Sequence, residues 1–124
     1  MNYNDYLVEV ESDALDFLDE NIEYYDDFDD AFDAMLCSDS VTGNGSGSYT
    51  FNSYEAQQNV KDAIFDENIV TLLDWNGINI FDTLRDRGAE TLDVIIRCYV
   101  LSDIYSIIGE HFKDKKGALA EEED

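Results

Sequence analysis

An excess of acid limits the folds open to this chain of 124 residues. Its 30 aspartates and glutamates stand against 7 lysines and arginines, which gives a formal net charge of −23. Residues 1–60 contain 15 of the acids and no lysine or arginine. Like charges at this density repel one another in a compact state, so the acids must face water. A DNA- or RNA-binding surface is excluded, because such surfaces use basic side chains to neutralise phosphates.

The remaining composition is that of a globular protein. Hydrophobic residues make up 44% of the chain and aromatic residues 13%, which is enough to build a packed core. The length fits one domain of ordinary size. We therefore predict a single acidic helical domain over 1–117 and a solvated acidic tail over 118–124.

Cysteine usage and hydropathy indicate a cytoplasmic protein without a membrane role. Cys37 and Cys98 have no paired spacing, and the first residues lack the basic and apolar regions of a signal peptide. The strongest apolar run, Leu92 to Ile108, is interrupted by three charged residues and falls short of the ~20 residues that a membrane span needs. Whether the two thiols ever pair stays open.

Apolar residues at helical spacing predict an all-α bundle. Proline is absent, so nothing forbids long helices. The segment from Glu90 to Lys113 has more apolar residues than one stripe holds, which is typical of a helix surrounded by others. The predicted helices lie near 4–23, near 27–38, from the capping pair Asn52 and Glu55 through Ile64, near 67–75, over Phe81 to Arg87, and from Glu90 to Lys113 as the central helix.

One glycine- and serine-rich stretch interrupts the helices. Residues 39–52 are predicted to form a loop or a short hairpin that holds Tyr49 and Phe51 against the helices. The alternating glycines could suggest a phosphate cradle. Their spacing matches no phosphate-binding fingerprint and no lysine accompanies them, so we favour the structural role.

No motif for catalysis, metal binding or a cofactor is present. His111 is the single histidine, and Cys98 lies thirteen residues earlier on the same predicted helix, about 20 Å away along its axis. A nucleophile and base at that distance cannot interact. The acids do not follow the spacing of a calcium-binding loop, and no Cys or His cluster indicates zinc. We expect a protein that is not an enzyme and carries no cofactor or metal.

Arg97 stands out because it lies between Ile96 and Cys98 in the most apolar segment. An unpaired guanidinium would be costly there. We expect a carboxylate from another part of the chain to pair with it, which makes Arg97 a structural clamp.

The acid pattern itself points to a function. Five aspartates between Asp26 and Asp33 place one charge per ~2.4 Å of helix axis, and duplex DNA carries one per ~1.7 Å. The charge also exceeds the ~2–8 that solubility asks of a small domain. The predicted partner is a basic DNA-binding protein, with no direct contact to nucleic acid. We predict that carboxylates fixed on helices take the positions of DNA phosphates in the groove of that partner. The acids predicted to act as these phosphate surrogates are Asp16, Asp19, Glu20, Glu23, Asp26, Asp27, Asp29, Asp30 and Asp33.

Two further interpretations remain open from the residues alone. In the first, the protein is an interaction or regulatory module that binds its partner through tyrosines and the glycine loop, around Tyr24, Tyr25, Tyr49 and Tyr54. In the second, which is compatible with either function, an apolar patch in the C-terminal half supports a homodimer. All the basic residues lie in that half, so two copies repel each other less there than through the acidic half.

Short segments of the chain resemble two groups of proteins. Glu20 to Asp27, Asp30 to Met35 and Glu121 to Asp124 are similar to phage DNA-mimic antirestriction proteins of the Ocr type. That resemblance implies a helical, dimeric mimic of bent B-DNA that blocks type I restriction enzymes in the bacterial host cell. Anti-CRISPR proteins that cover a Cas nuclease use the same physics. Val41 to Phe51 and Ile95 to Tyr99 resemble small acidic proteins of unknown function from phages and conjugative elements of Gram-positive bacteria.

Overall fold

Helices account for most of the chain that the structure describes, which is residues 1–38, 40–45, 48–49 and 53–122 of a computed structural model. The predicted all-α bundle with one short hairpin is confirmed. The elements are α1 (Tyr3–Asn21), a 3₁₀ turn (Ile22–Tyr24), α2 (Phe28–Leu36), β1 (Asn44–Gly45), β2 (Ser48–Tyr49), α3 (Ser53–Ala63), α4 (Glu67–Trp75), α5 (Ile80–Arg87), α6 (Ala89–Asp103) and α7 (Tyr105–Glu122).

Polar side chains begin four of these helices. The side chain of Asn2 accepts a hydrogen bond from the backbone N–H of Asp5, and the Asp5 carboxylate accepts one from the backbone of Asn2. Helices α2, α4 and α5 are each capped by one side chain that accepts from a backbone N–H of the first turn, and these side chains are Asp27, Asp66 and Asn79, respectively. Each cap satisfies N–H groups that the helix leaves without a partner, which fixes where the helix starts.

The core lies around α6, which packs against α1, α3, α4, α5 and α7. Buried residues four positions apart on α1 line one side of the core. Buried apolar residues on two sides of α6 form its centre. The fully buried side chains of these two helices include Tyr6, Val10, Ala14, Leu18, Leu92, Ile96, Val100 and Leu101.

The prediction of one central helix from Glu90 to Lys113 is wrong, because the helix is divided at Ile104. There the backbone has φ −100° and ψ 16°, and its N–H bonds to the carbonyls of Val100 and Leu101. After the break, α7 packs against α1 and α2.

The glycine-rich stretch contains a small hairpin. β1 and β2 pair antiparallel, with Asn44 opposite Tyr49 and Gly45 opposite Ser48. Gly43 precedes the hairpin with φ 80°, a conformation that residues with a side chain rarely adopt. Residues 39, 46, 47 and 50–52 lie outside the described residues, and so does the predicted cap at Asn52.

Residues 118–122 of the predicted tail belong to α7. The helix runs to Glu122, and residues 117–120 are exposed. The predicted domain boundary at residue 117 therefore does not coincide with the end of a helix. Within the part of the chain that is described, no helix has the length and apolar character needed to cross a membrane.

Candidate functional site

Nine acids of the first half lie exposed on α1, the 3₁₀ turn and α2, and together they are here called the acidic surface. All nine proposed phosphate surrogates are exposed to solvent. They comprise Asp16, Asp19 and Glu20 on α1, Glu23 in the turn, Asp26 and Asp27 before α2, and Asp29, Asp30 and Asp33 on α2.

The helical repeat places these acids on the outside. Ala31 and Met35 are the buried residues of α2, one turn apart. Asp29, Asp30 and Asp33 fall within about 100° of one another on the opposite side of the helix, as the 3.6-residue repeat requires. Burial of the apolar stripe therefore exposes the aspartates.

Helix α7 holds one carboxylate of each acidic helix. His111 Nε2 lies 2.9 Å from Asp19 Oδ1 of α1. The Tyr105 hydroxyl donates a hydrogen bond to Oδ1 of Asp29 on α2. Tyr105 and His111 are six residues apart, or about 9 Å along α7. The acids of α1 and α2 are thus brought to neighbouring positions along one supporting helix.

These contacts change the titration of the groups involved. The hydrogen bond with His111 lowers the pKa of Asp19, and Lys115, whose Nζ lies 3.7 Å from Asp19 Oδ1, acts in the same direction. The hydrogen bond to Asp29 raises the pKa of Tyr105, and the charges of neighbouring aspartates add to that effect. Asp19 therefore keeps its negative charge to lower pH than an isolated aspartate.

The nine surrogates divide into two groups. Asp19 and Asp29 are engaged by α7, and Asp27 caps α2 by accepting a hydrogen bond from the Asp29 N–H at 3.1 Å. The remaining six make no hydrogen bond or ion pair with the described residues, so they are available to a partner. These six are Asp16, Glu20, Glu23, Asp26, Asp30 and Asp33.

A groove of about 430 Å³ includes two acids of the acidic surface in its lining. Asp26 and Asp27 line it together with Phe28 and two lysines, Lys113 and Lys116. The lysines reduce the local negative potential. The strongest negative potential is therefore expected away from this groove, toward Asp16, Glu20, Asp30 and Asp33.

Arg97 lies in the core and has the interhelical carboxylate partner that the sequence requires. Its side chain is 1% exposed, with Nη1 3.1 Å from Glu9 Oε1 on α1 and Nε 3.3 Å from Asp93 Oδ2 on its own helix. Asp93 is fully buried and also accepts a hydrogen bond from the Tyr6 hydroxyl at 2.6 Å. This buried cluster joins α1 to α6.

Sequence reasoning missed Asp93 as a member of that cluster. In the sequence it is one of the three charged residues that interrupt the apolar run from Leu92 to Ile108. The signal was its position four residues before Arg97, a spacing that places both side chains on one face of a helix.

The thiols and the histidine do not form a reactive site in the described residues. Cys37 is exposed and Cys98 is half-buried, and both are free thiols. Burial raises the pKa of Cys98, which disfavours the reactive thiolate. His111 lies on α7 and is engaged by Asp19. No group of three or more metal-binding side chains is found in the same part of the chain.

The tyrosine surface of the alternative interpretation is only partly visible. Tyr24 is 75% exposed and Tyr54 69%, whereas Tyr25 packs against Phe17 with ring centroids 6.3 Å apart. Tyr49 lies in β2, and its side chain is outside the described part of the structure, as is Phe51. The predicted packing of Tyr49 and Phe51 on the helices therefore stays a prediction.

Comparison with known proteins identifies no relatives: no family model, no curated protein and no solved structure matches this chain. The charge, exposure and contacts of the acidic surface consequently carry the functional argument.

Proposed function

We propose that this protein is a non-catalytic inhibitor that binds a DNA-binding defence enzyme of a bacterial cell, a restriction or Cas nuclease, through the acidic surface. Its carboxylates take the positions of DNA phosphates in the enzyme's basic groove. The protein comes from a phage or mobile element and acts in the host cytoplasm.

One observation carries this proposal: every proposed surrogate is exposed, and six of the nine make no hydrogen bond or ion pair with the described residues. Exposure alone does not distinguish carboxylates that only keep a protein solvated from carboxylates that mimic phosphates. The mimic also needs charges fixed in position, and the contacts of α7 with Asp19 and Asp29 supply that on both acidic helices.

The expected mechanism is competitive and electrostatic. A groove that neutralises phosphates with Lys and Arg attracts the acidic surface from a distance and gives fast association. Ion pairs between the groove and the six available acids then hold the complex. Because each pair is weakened by salt, we expect affinity to fall by at least about tenfold between 50 mM and 200 mM salt.

The test compares two variants that lose the same charge. The first replaces four available surrogates (Asp16→Asn, Glu20→Gln, Asp30→Asn, Asp33→Asn). The second replaces four exposed acids outside the acidic surface (Glu67→Gln, Asp74→Asn, Glu110→Gln, Asp114→Asn). Asp27 and Asp29 are left intact, because their loss would remove a helix cap and a contact with α7.

The assay measures displacement of labelled duplex DNA from a purified type I restriction enzyme and from a purified Cas nuclease. We expect the wild-type protein and the second variant to displace DNA from one of them, and the first variant to be at least about tenfold weaker. If both variants lose the same activity, or neither does, the acidic surface is not the binding site.

The alternative function, a protein-interaction module of a mobile element, is favoured by the exposure of Tyr24 and Tyr54. Exposed tyrosines are frequent anchors of interfaces. On that interpretation Tyr24→Ala and Tyr54→Ala abolish binding of the partner, and the four-acid variant binds normally. Salt then has little effect on affinity.

A further inference from the structure

We infer that Tyr105 and His111, two residues of α7 that lie outside the acidic surface, are positioning residues that make this surface specific for a rigid DNA-binding groove over a flexible polycation. This inference rests on the proposed function and deepens it. It assigns the specificity to the placement of the charges rather than to their number alone.

Tyr105 fixes the start of α2 against α7. Its hydroxyl donates a hydrogen bond to Asp29 Oδ1. Its ring packs on those of Phe28 and Phe32, with centroid distances of 4.9 Å and 5.0 Å. The Phe28 ring also lies so close to Gly109, one turn further along α7, that a Cβ there would be 3.1 Å from a ring carbon. The aromatic contacts hold the two helices at one distance, and the hydrogen bond orients a carboxylate.

His111 has the corresponding role at the end of α1. Its Nε2 lies 2.9 Å from Oδ1 of Asp19, which is in the last turn of α1. The side chains are 28% and 46% exposed, respectively, so the contact is partly shielded from water. A shielded hydrogen bond to a carboxylate restrains its orientation more than a fully solvated one does.

The connection between α1 and α2 does not by itself fix their relative position. It consists of the 3₁₀ turn Ile22–Tyr24 and three residues, 25–27, that lie outside any helix. Helix α7 packs against α1, the turn and α2. Because Tyr105 and His111 belong to one helix and are about 9 Å apart along its axis, they set the spacing between the acids of α1 and those of α2.

Both contacts leave the carboxylates able to bind a partner. Tyr105 and His111 each bond to Oδ1, and no described residue makes a hydrogen bond to Oδ2 of Asp29 or Asp19. The hydrogen bond to Asp29 raises the pKa of Tyr105, so the hydroxyl stays protonated and uncharged. The formal net charge of −23 counts the histidine as neutral. The two side chains therefore orient negative charge without reducing that total.

Fixed spacing matters for a rigid partner and much less for a flexible one. The phosphates of duplex DNA are regularly spaced, and a groove that binds them holds its Lys and Arg side chains at matching positions. Hydrogen-bonded ion pairs need their atoms within about 3 Å, so acids displaced by about 1–2 Å lose them. A flexible polycation adapts to the positions that the acids take, and it responds mainly to total charge.

The experiment compares two measurements for each variant at one salt concentration. The first is displacement of labelled duplex DNA from the nuclease that the wild-type protein inhibits, and the second is binding to poly-L-lysine. We expect Tyr105→Phe/His111→Leu to displace DNA at least about fivefold more weakly than wild type, because two hydrogen bonds are lost. We expect its affinity for poly-L-lysine to stay within about twofold, because all 30 acids and 7 lysines and arginines are kept.

Two further variants serve as controls. Tyr3→Phe also removes a hydrogen bond from a tyrosine hydroxyl to an aspartate, Asp103, at 2.8 Å, but outside the acidic surface. We expect it to displace DNA as well as wild type does. His111→Gln keeps an N–H donor near the position of Nε2, so we expect it to inhibit better than His111→Leu. Urea unfolding establishes that each variant is folded under the conditions of the assay.

The inference is overturned if Tyr105→Phe/His111→Leu displaces DNA as well as wild type, or loses DNA displacement and poly-L-lysine binding to the same extent. It is equally overturned if Tyr3→Phe is weakened as much, or if His111→Gln is no better than His111→Leu. In all these cases the wild-type protein still displaces DNA and the proposed function stands. Failure of the wild-type protein to displace DNA from either nuclease overturns the proposed function, and this inference with it.

Discussion

Replacing Arg97 by methionine is the sharpest test of how the core is held together. Methionine keeps the length and apolar character of the arginine stem, so the substitution removes the charge and little volume. It leaves the fully buried Asp93 without its cation and separates Glu9 from its partner across the α1–α6 contact.

The expected cost is large because the charges are buried. Removing one partner of a buried ion pair typically costs about 3–5 kcal/mol, since the other charge stays in a medium of low polarity. A domain of this size has a free energy of unfolding of roughly 5–15 kcal/mol. The Arg97→Met variant should therefore lose about a fifth or more of the stability, and we expect a clear fall in the midpoint of urea unfolding.

The assay is urea unfolding followed by circular dichroism, with the slope of the transition checked for a constant value between variants. Arg85→Met is the control: it removes an arginine from an exposed side chain with two aspartate partners, and we expect a small effect. The double variant Asp93→Leu, Arg97→Met removes both charges of the buried pair at once.

The double variant decides whether the reasoning holds. If desolvated charge dominates, the double variant is more stable than Arg97→Met alone, although the hydroxyl of Tyr6 loses its acceptor. A single variant within about 1 kcal/mol of wild type would refute the argument, as would strictly additive losses in the double variant.

Three further predictions concern pH and glycine. Burial raises the pKa of Tyr3 to about 12, so the protonated Tyr3 side chain makes its full contribution to stability below pH 10 and loses it as pH rises toward 12. This loss of stability is at most about 1 kcal/mol after solvent screening, and we expect it to be absent from the alkaline unfolding curves of Tyr3→Phe. The hydrogen bond with His111 lowers the pKa of Asp19, so the ionised Asp19 contributes to stability above its unfolded pKa, and this contribution is lost as pH falls through the lower folded pKa. We therefore expect the melting temperatures of Asp19→Asn and wild type to converge in acid. A difference that stays constant with pH would contradict this. On α7, Gly117→Ala should stabilise by about 0.5–1 kcal/mol because its Cβ meets open space, whereas Gly109→Ala should give no such gain because its Cβ would lie 3.1 Å from an aromatic carbon; equal gains in thermal unfolding would contradict the packing.

The elements with local signals were predictable, and the break in the central helix was not. Helix α4 was predicted at the residues where it occurs, because its caps and its apolar spacing are local. The division at Ile104 has no glycine or proline to announce it. The contacts that α7 then makes with α1 and α2 join distant parts of the chain, and no local pattern specifies them.

The acidic surface shows the same division between local and distant information. Exposure of the acids followed from the helical repeat, which any short segment reveals. The contacts of Asp29 with Tyr105 and of Asp19 with His111 join residues 76 and 92 positions apart, and no pattern in the sequence specifies them. Likewise, Arg97 indicated that a carboxylate was needed, and only the fold identifies Glu9.

The support that α7 gives to both acidic helices has a consequence for the entropy of binding. A disordered acidic peptide of equal charge must lose backbone freedom when it enters a groove, at about 1–2 kcal/mol for each residue that becomes ordered. Here folding has already fixed the backbone of α1 and α2, and α7 restrains two of the side chains. Binding therefore orders only the outer carboxylates, and more of the electrostatic attraction is retained as affinity.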